Sequence, residues 1–245
     1  MNTATPRAQL IDDLVDANHI LFHQGIVDAF GHVSARLGER SDRFLLARNL
    51  APGLVGAADM LEYDVADGEP VSIDPPRQYL ERYIHSEIYR VRPDVMAVVH
   101  NHSPAVLPFG LVKGATLQPV CHMCGFLGSG AAQFEIRDSA GDGSDLLIRN
   151  RGLGTALAQS LGGQQVVLMR GHGCTVVGES LRIAVYRAVY TEVNAKLLLQ
   201  SLPLGEVQYL TPAEADAARI STEGQAERPW NLWKQLAREA AASRA

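Results

Sequence analysis

The chain is poor in cysteine, in aromatic residues and in long apolar segments. Its 245 residues include three cysteines, Cys121, Cys124 and Cys174, an odd number that fits reduced thiols better than a disulfide framework. No stretch reaches the ~18 apolar residues that a membrane-spanning helix needs, and the N-terminus lacks the apolar core of a signal peptide. These absences predict a cytoplasmic protein without a membrane partner.

Positive charge is also scarce. Lysine and arginine number 22 against 27 acidic residues, which gives a net charge of −5 with histidine neutral. No basic run stands out, so nothing indicates nucleic acid as a partner. Hydrophobic residues make up 47% of the chain, an ordinary value for a globular protein, and the composition shows no break. We therefore expect a single domain over residues 1–245 with a helical tail over about 206–245.

Hydrophobic periodicity predicts an α/β fold. Spacing of three and four residues predicts helices at about 6–24, 79–91, 105–111, 153–161, 180–201, from 211 onward, and 228–245. Alternating or continuous apolar runs predict strands at 30–36, 43–48, 61–65, 95–100, 117–126, 133–136 and 165–170, with another short one at Val71. Strict alternation of strand and helix is absent. The pattern therefore favours a three-layer α/β/α domain around a mostly antiparallel or mixed sheet.

Two histidines end an apolar strand within residues 92–103. His100 and His102 are two residues apart, so they point to the same face of a strand while Asn101 faces the other way. His172 follows another apolar run and lies between two glycines. Three imidazoles at strand ends suit a divalent ion such as Zn²⁺, Mn²⁺ or Co²⁺. The alternative for the His-Asn-His segment alone is a pair of partly buried polar residues.

A carboxylate adjoins this segment in the chain. Glu81 lies on the preceding predicted helix, four residues before His85 and on the same face. A carboxylate next to a metal can serve as ligand, base or acid. The alternative is an ordinary solvated charge paired with His85.

Taken together, these residues resemble the class II aldolase/adducin family over roughly residues 8–205. The shared elements are Glu81-x-x-x-His85, Arg92-Pro93-Asp94, Val-Val-His100-Asn-His102-Ser-Pro and Gly171-His172-Gly173. The resemblance implies the class II aldolase fold and a fourfold-symmetric tetramer with active sites between subunits. It also implies metal ligation by His100, His102 and His172, with Glu81 as an acid/base that reaches the metal when no substrate is bound.

Departures from the sugar-phosphate members of the family indicate the substrate. Ala47-Arg48-Asn49 replaces their phosphate-binding Ser-Gly loop, and Gln78-Tyr79-Leu80 replaces a Ser-Ser pair. The family's Gly-Asn-x-Ser-x-Arg loop is present as Gly31-x-x-Ser34-x-Arg36, with His32 in place of asparagine. An arginine pairs well with a carboxylate, so we predict substrate binding by His32, Ser34, Arg48 and Asn49.

The segments Phe-Leu-Leu-Ala-Arg-Asn, Tyr-Leu-Glu-Arg and Val-Cys-His-Met are similar to the decarboxylase branch of the family. That branch acts on 3,4-dihydroxyphthalate or 3-hydroxy-2-methylpyridine-4,5-dicarboxylate. The sequence thus predicts a metal-dependent decarboxylase of an aromatic hydroxy-dicarboxylate, without an organic cofactor. Glu81 is the first candidate for the acid that protonates the ring carbon, and His122 is the second.

Two other functions stay open at this point. One is a class II aldolase acting on a small hydroxy-acid or sugar-like substrate. The other is a non-catalytic, adducin-like interaction module, which need not keep the metal ligands.

The segment Cys121-His122-Met123-Cys124 has the spacing of a redox or zinc motif. No second ligand pair accompanies it, and the segment is predicted to form a strand. We therefore interpret the two cysteines as small buried apolar residues.

Overall fold

The computed structural model describes residues 5–243. A seven-stranded sheet forms its centre, in the order β3-β2-β1-β4-β7-β6-β5, and every pairing is antiparallel except that of β5 with β6. The strands are β1 (His32–Leu37), β2 (Arg40–Ala47), β3 (Met60–Asp64), β4 (Ala97–Asn101), β5 (Ala132–Phe134), β6 (Val166–Met169) and β7 (Gly173–Gly178).

Eight α-helices accompany the sheet within residues 5–243. They are α1 (Pro6–His23), α2 (Arg82–Val91), α3 (Leu107–Leu111), α4 (Arg137–Ala140), α5 (Arg151–Leu161), α6 (Leu181–Ser201), α7 (Pro212–Glu223) and α8 (Glu227–Ala242). Short 3₁₀ turns lie at Pro52–Leu54, Ala57–Asp59, His122–Leu127 and Leu202–Leu204. In this part of the chain no helix is both long and apolar enough to cross a membrane.

Helices cover both faces of the sheet. Apolar residues of α1, α6 and α8 pack against one face, which includes Val33 and Val99. Those of α2 and α5 pack against the other face, which includes Val98 and Val177. Successive strand residues point to opposite faces, so each central strand contributes to both cores. The structure confirms the predicted three-layer α/β/α arrangement around a mostly antiparallel, mixed sheet.

One face of β1 fixes the position of helix α2. Val33 and Ala35 belong to the core beneath α1, whereas Ser34 and Arg36 point toward α2. The Arg36 guanidinium donates to three main-chain carbonyl groups at the end of α2 and just beyond it, those of Tyr89, Arg92 and Val95. These bonds satisfy carbonyl groups that a helix end leaves free. The predicted Gly-x-x-Ser-x-Arg loop thus anchors the helix that follows Glu81.

The C-terminal helices pack on the domain. Trp230 of α8 is 2% exposed and Trp233 is 9% exposed, both within the core that α1 and α6 share. Asp16 of α1 is buried and pairs with Lys234 at 2.7 Å and with Arg238 at 2.8 Å. The predicted end of the tail helix at Ala245, like residues 1–4 of the predicted domain, lies outside the described residues.

The strand predicted at 117–126 is wrong. The main chain near Val120 instead bonds to a side chain of α6, because the Asn194 amide accepts from the Val120 N–H at 2.9 Å and donates to the Gln118 carbonyl at 2.8 Å. Residues 122–127 then form a 3₁₀ turn beneath α7. A side chain at Gly125 would place its Cβ 2.2 Å from the Ala215 carbonyl oxygen, so this close approach requires glycine.

Two smaller expectations also need correction. The short strand predicted at Val71 is only a bridge between Tyr63 and Pro70, since proline has no N–H to extend a ladder. Helix α2 begins at Arg82 rather than Tyr79, and Glu81 occupies its N-cap position with φ −90° and ψ 19°. Glu81 therefore does not share a helix face with His85. The strand β7 was not predicted, because its short apolar run is bounded by glycines on both sides.

Candidate metal centre and active site

Candidate metal ligands lie together at one end of the central strands β1, β4 and β7. His100 lies near the end of β4, where it pairs with His32 at the start of β1 and with Thr175 of β7. His102 follows β4 by one residue, and His172 lies in the turn between β6 and β7. The antiparallel register brings these side chains together. The predicted convergence of three histidines is therefore present in the structure.

The three histidine side chains form a compact donor set, with one carboxylate oxygen beside it. The Nε2 atoms of His100 and His102 are 3.2 Å apart. The Oε2 atom of Glu81 is 3.4 Å from His172 Nε2 and 3.7 Å from His100 Nε2. Neighbouring ligands of a tetrahedral zinc ion lie about 3.3 Å apart, given Zn–N bonds of about 2.0–2.1 Å. The residues present therefore fit a divalent metal ion.

Glu81 is fixed by its second oxygen atom. Its Oε1 accepts a hydrogen bond of 2.9 Å from the Ile148 N–H, while Oε2 faces the histidines. The residue is 8% exposed. The N-cap conformation of Glu81 turns its side chain away from the axis of α2 and toward the strand ends. Among the described residues, a second donor set of the same kind comprises His32, Glu81 and His100.

A neighbouring hydroxyl group contacts the far side of the His100 ring. Thr175 Oγ1 lies 3.3 Å from His100 Nδ1 and 3.5 Å from Met169 Sδ. When Nδ1 carries the ring proton, it donates to this oxygen and leaves the lone pair on Nε2, which faces the donor set. Such a second hydrogen bond is a usual feature of metal-ligating histidines.

The buried histidines are held neutral. Burial, reinforced by the neighbouring imidazoles, lowers the pKa of His100 and of His32 well below the usual range. Burial and His172 also lower the pKa of His102. A neutral imidazole offers the lone pair that a metal requires, so these shifts favour metal binding at neutral pH.

Gly173 allows β7 to approach β4 closely at this centre. A Cβ atom at Gly173 would lie 2.1 Å from the Asn101 carbonyl oxygen and 3.0 Å from the His102 ring. The two strands would have to separate to admit it. The sequence observation that His172 lies between glycines thus has a steric basis on its C-terminal side.

We expect Gly173→Ala to lower the free energy of unfolding by about 3 kcal/mol, because overpacking here forces the backbone to shift. Metal affinity should fall at least about tenfold, since the histidines on both strands move. Urea unfolding and metal titration measure the two effects. Gly163→Ala is the matched control, because nothing lies within 4 Å of its added Cβ. Equal behaviour of the two variants would contradict the steric argument.

A buried chain of hydrogen bonds leads away from the centre. His32 Nδ1 is 2.7 Å from His85 Nε2, and His85 Nδ1 is 2.6 Å from Ser34 Oγ. Ser34 Oγ in turn is 2.8 Å from Tyr89 Oη. All four side chains are 4% exposed or less. Ser34, predicted to bind substrate, is thus engaged with α2, whereas the His32 ring lies beside His100 with centroids 5.1 Å apart.

We expect His85→Phe to destabilise the protein by about 1–3 kcal/mol at pH 7. A phenyl ring keeps the packing against Phe44, but it leaves His32 Nδ1 buried without a partner. Urea unfolding measures the loss. His23→Phe, at the exposed end of α1, serves as the control and should change stability by less than about 0.5 kcal/mol.

The stability difference between wild type and His85→Phe should also depend on pH. Burial lowers the pKa of His85 to about 3, below the value of about 6.5 in an unfolded chain. Between these values the unfolded state binds the extra proton, so stability falls as the pH drops, by up to about 1.4 kcal/mol per unit for this group. The difference in stability between wild type and His85→Phe should therefore narrow between pH 7 and pH 5. A gap that widens would contradict this assignment.

The loop after β2 carries the predicted substrate residues Arg48 and Asn49. Arg48 is 39% exposed at its side chain, and its Nε atom donates to Asp59 at 2.6 Å. The described side-chain hydrogen bond of Arg48 involves only this edge of the guanidinium. The Asn49 N–H donates to the Arg77 carbonyl at 2.7 Å, which holds the loop in place.

Tyr79 connects this loop to the centre, a role that the sequence did not reveal. Its ring lies 4.7 Å from the His32 ring, and its hydroxyl donates to the Leu50 carbonyl. Burial raises the pKa of Tyr79 to about 12, so the phenol stays protonated. The only sequence signal was the departure from the family's Ser-Ser pair.

Phe30 is a second residue that sequence reasoning missed. Its ring is 69% exposed and lies edge-on to His102, with centroids 6.5 Å apart. It precedes Gly31, whose φ of 93° turns the chain into β1. An exposed aromatic ring beside a polar centre is a candidate contact for a flat substrate.

His122, the second predicted acid, lies elsewhere in this chain. It is exposed at the start of the 3₁₀ turn, beside a surface depression that Tyr186, Tyr190 and Trp233 help to line. Within residues 5–243 no hydrogen bond or ring contact links it to the three histidines.

The fold and the histidine-lined edge define the class II aldolase architecture. The structure of an aldolase II superfamily protein from Pseudomonas syringae superposes with a TM-score of 0.76 at 20% identity, covering 98% of this chain and 96% of that one. The protein belongs to the class II aldolase and adducin family, because the family model described as "Class II Aldolase and Adducin N-terminal domain" matches residues 12–199.

Two curated relatives are decarboxylases. Decarboxylase tropJ of Talaromyces stipitatus is 39% identical over 250 residues, covering 93% of this chain and 94% of that protein. The 3,4-dihydroxyphthalate decarboxylase of Terrabacter sp. is 33% identical over 215 residues, covering 84% of this chain and 86% of that protein. The resemblance to the family and to its decarboxylase branch is confirmed.

Proposed function

We propose that the protein is a metal-dependent decarboxylase of a hydroxylated aromatic dicarboxylate, of the 3,4-dihydroxyphthalate or 3-hydroxy-2-methylpyridine-4,5-dicarboxylate type. The observation that carries the proposal is the donor set of three histidine Nε2 atoms with Glu81 Oε2 beside it. The two decarboxylase relatives, which match most of the chain, support the reaction class.

His100, His102 and His172 would hold one divalent ion. When bound, that ion supplies a Lewis acid next to the carbon that loses CO₂, where it lowers the energy of the electron pair left on the ring. Zn²⁺, Mn²⁺ and Co²⁺ all accept this ligand set. His100 lies on β4, His102 directly follows it and His172 lies in the turn between β6 and β7, so the three side chains are positioned without help from the substrate.

Glu81 delivers the proton that replaces CO₂ on the ring. The Ile148 N–H holds Oε1, so Oε2 is the oxygen that can carry a proton toward the substrate. The low exposure of the residue limits exchange with bulk water during the reaction. A carboxyl group held in this way suits general acid catalysis, and it recovers its proton from solvent after product release.

Two regions would bind the substrate. The free edge of the Arg48 guanidinium suits the carboxylate that is retained, and Asn49 is the adjacent polar residue of the same loop. Phe30 offers a ring to contact the aromatic plane. His32, held neutral by burial and bonded to His85, offers its Nε2 to a substrate hydroxyl. Ser34 acts indirectly, by positioning His85.

The family resemblance implies a homo-tetramer with sites between subunits. His122 lies apart from the metal centre of its own chain, so it could serve as an acid only at a site that a neighbouring subunit completes. Glu81 is the acid that this chain supplies to its own centre.

Release of CO₂ from a small panel of substrates tests the proposal. We expect turnover of 3,4-dihydroxyphthalate or its pyridine analogue and none of phthalate, which lacks the hydroxyl needed for chelation beside the ortho carboxylate. Treatment with a chelator should remove activity, and one equivalent of a divalent ion should restore it.

Each alternative has its own outcome. Release of an aldehyde or ketone instead of CO₂ would identify an aldolase. Absence of stoichiometric metal together with absence of turnover would favour an adducin-like module. Full activity after complete metal removal would contradict the metal dependence.

A further inference from the structure

The Cys-x-x-Cys segment has a geometry that its sequence interpretation did not anticipate. Cys121 and Cys124 lie on a 3₁₀ turn, with their Sγ atoms 3.1 Å apart. A disulfide bond is about 2.05 Å long, so the sulfurs need to approach by only about 1 Å to form one. The interpretation of this segment as an apolar strand is therefore replaced by that of a paired dithiol.

The two thiols differ in their access to solvent. Cys121 is half-buried, whereas Cys124 is 0% exposed and lies 3.3 Å from the Tyr190 carbonyl oxygen of α6. A dissolved reagent can therefore reach Cys121 first. Cys124 is shielded from dissolved reagents, but its sulfur can reach that of Cys121.

The pKa values of the two thiols also differ, and they favour Cys121 as the nucleophile. The hydrogen bond between the two sulfurs lowers the pKa of Cys121 to about 7, while the same bond and burial raise the pKa of Cys124. At neutral pH a substantial fraction of Cys121 is thiolate, the nucleophilic form. Cys174, the third thiol, is buried on β7 beside Asn101.

We propose that Cys121 and Cys124 form a reversible redox site that exchanges with low-molecular-weight disulfides. The Cys121 thiolate attacks one sulfur of the small disulfide, which forms a mixed disulfide and releases one thiolate. Cys124 then loses its proton and attacks Cys121 Sγ, which closes the protein disulfide and releases the second thiolate. Two protein thiols are oxidised, one small disulfide is reduced to two thiols, and the two protons lost by the cysteines balance the two released thiolates.

The proposal is independent of the decarboxylase function, but it concerns the segment that carries His122. His122 lies between the two cysteines, and Tyr186 Oη donates to the Met123 carbonyl at 3.0 Å. Closing the disulfide draws the ends of this four-residue segment together and removes the Cys124 thiol proton from the vicinity of the Tyr190 carbonyl. The exposed imidazole would then change position with the redox state.

The experiment equilibrates the folded full-length protein with glutathione and glutathione disulfide in the presence of a chelator. Acid quenching, alkylation under denaturing conditions and mass spectrometry follow. We expect the wild type to fall from three alkylatable thiols to one, with a peptide linking Cys121 to Cys124, and to recover all three on reduction. Cys174 is the internal control, because it is buried and a parallel alkylation without denaturant should leave it unmodified in the folded protein. Three free thiols after equilibration with excess disulfide would overturn the proposal.

Single variants test the order of attack. Cys124→Ser should accumulate one glutathionyl group on Cys121, and Cys121→Ser should accumulate none at Cys124. Glutathionylation of Cys124 in the folded Cys121→Ser protein would overturn the assigned roles. Should Cys124→Ser fail to fold, a mixed disulfide trapped on wild-type Cys121 by rapid acid quenching gives the same information. Decarboxylation is not needed for any of these measurements, so a failed activity assay leaves the redox result intact.

Discussion

Replacing His100 with alanine should cost the protein its metal ion and lower turnover by at least about a thousandfold. The His100 ring is fully buried, its Nε2 lies between His102 and Glu81, and its Nδ1 lies 3.3 Å from Thr175 Oγ1. Alanine removes the central ligand, and no other described side chain occupies that position. Lewis-acid stabilisation is worth several kcal/mol, and each 1.36 kcal/mol corresponds to about a tenfold change in rate.

Elemental analysis after gel filtration measures the metal, and CO₂ release measures turnover. His23→Ala is the matched control, because His23 is exposed at the end of α1 and should leave both quantities unchanged. A cooperative urea transition in each variant excludes loss by unfolding. One equivalent of metal retained by His100→Ala would remove His100 from the ligand set.

Glu81→Gln should retain the metal yet lose turnover by about a hundredfold to ten-thousandfold. Glutamine keeps an oxygen that can accept from the Ile148 N–H, so the main chain before α5 stays in place. It cannot carry a transferable proton on its other atom, and general acid catalysis contributes about 10²–10⁴ to a rate. The three histidines keep their positions, because β4 and the turn between β6 and β7, rather than Glu81, hold them.

A matched control separates loss of the acid from a general effect of removing a negative charge. Glu69→Gln replaces a partly exposed glutamate that is paired with Arg82, and it should match the wild type in rate. A rate for Glu81→Gln within a fewfold of wild type would show that another group donates the proton.

The three histidines could be predicted from sequence because strand geometry is local. Alternation fixes His100 and His102 on one face, and the apolar runs before His100 and His172 place both near strand ends. Residue spacing could not show that β4 pairs with β1 and β7 in a register that aligns His100 with His32 and Thr175. That register depends on contacts distant in the chain.

Glu81 was identified as a functional residue from an incorrect helix boundary. The helical spacing placed it on one face with His85, whereas it precedes α2 and points to the strand ends. His85 points instead to Ser34 and His32. Helix boundaries are the least certain part of a sequence prediction, and here a shift of three residues separates the proposed acid from a buried structural histidine.

The segment around Cys121 could not be predicted because its partners lie far along the chain. Its apolar residues suggest a strand, but Asn194 of α6 takes up the main-chain bonds that a neighbouring strand would have made. The backbone of α7 then approaches Gly125 and imposes a turn. Tertiary contacts therefore override local β propensity, and the paired sulfurs are a result of that override.

The attachment of α2 to β1 has a consequence for how such an enzyme can be redesigned. Ser34 and Arg36 of β1 attach α2 to the sheet through hydrogen bonds to Tyr89. The residues that hold the helix following Glu81 are therefore different from Phe30, Arg48 and Asn49. The loops bearing these three residues can therefore vary while the ligand geometry is preserved. A combinatorial library restricted to positions 30, 48 and 49 should yield variants that act on other carboxylic acid substrates. Each variant should still bind the divalent metal ion.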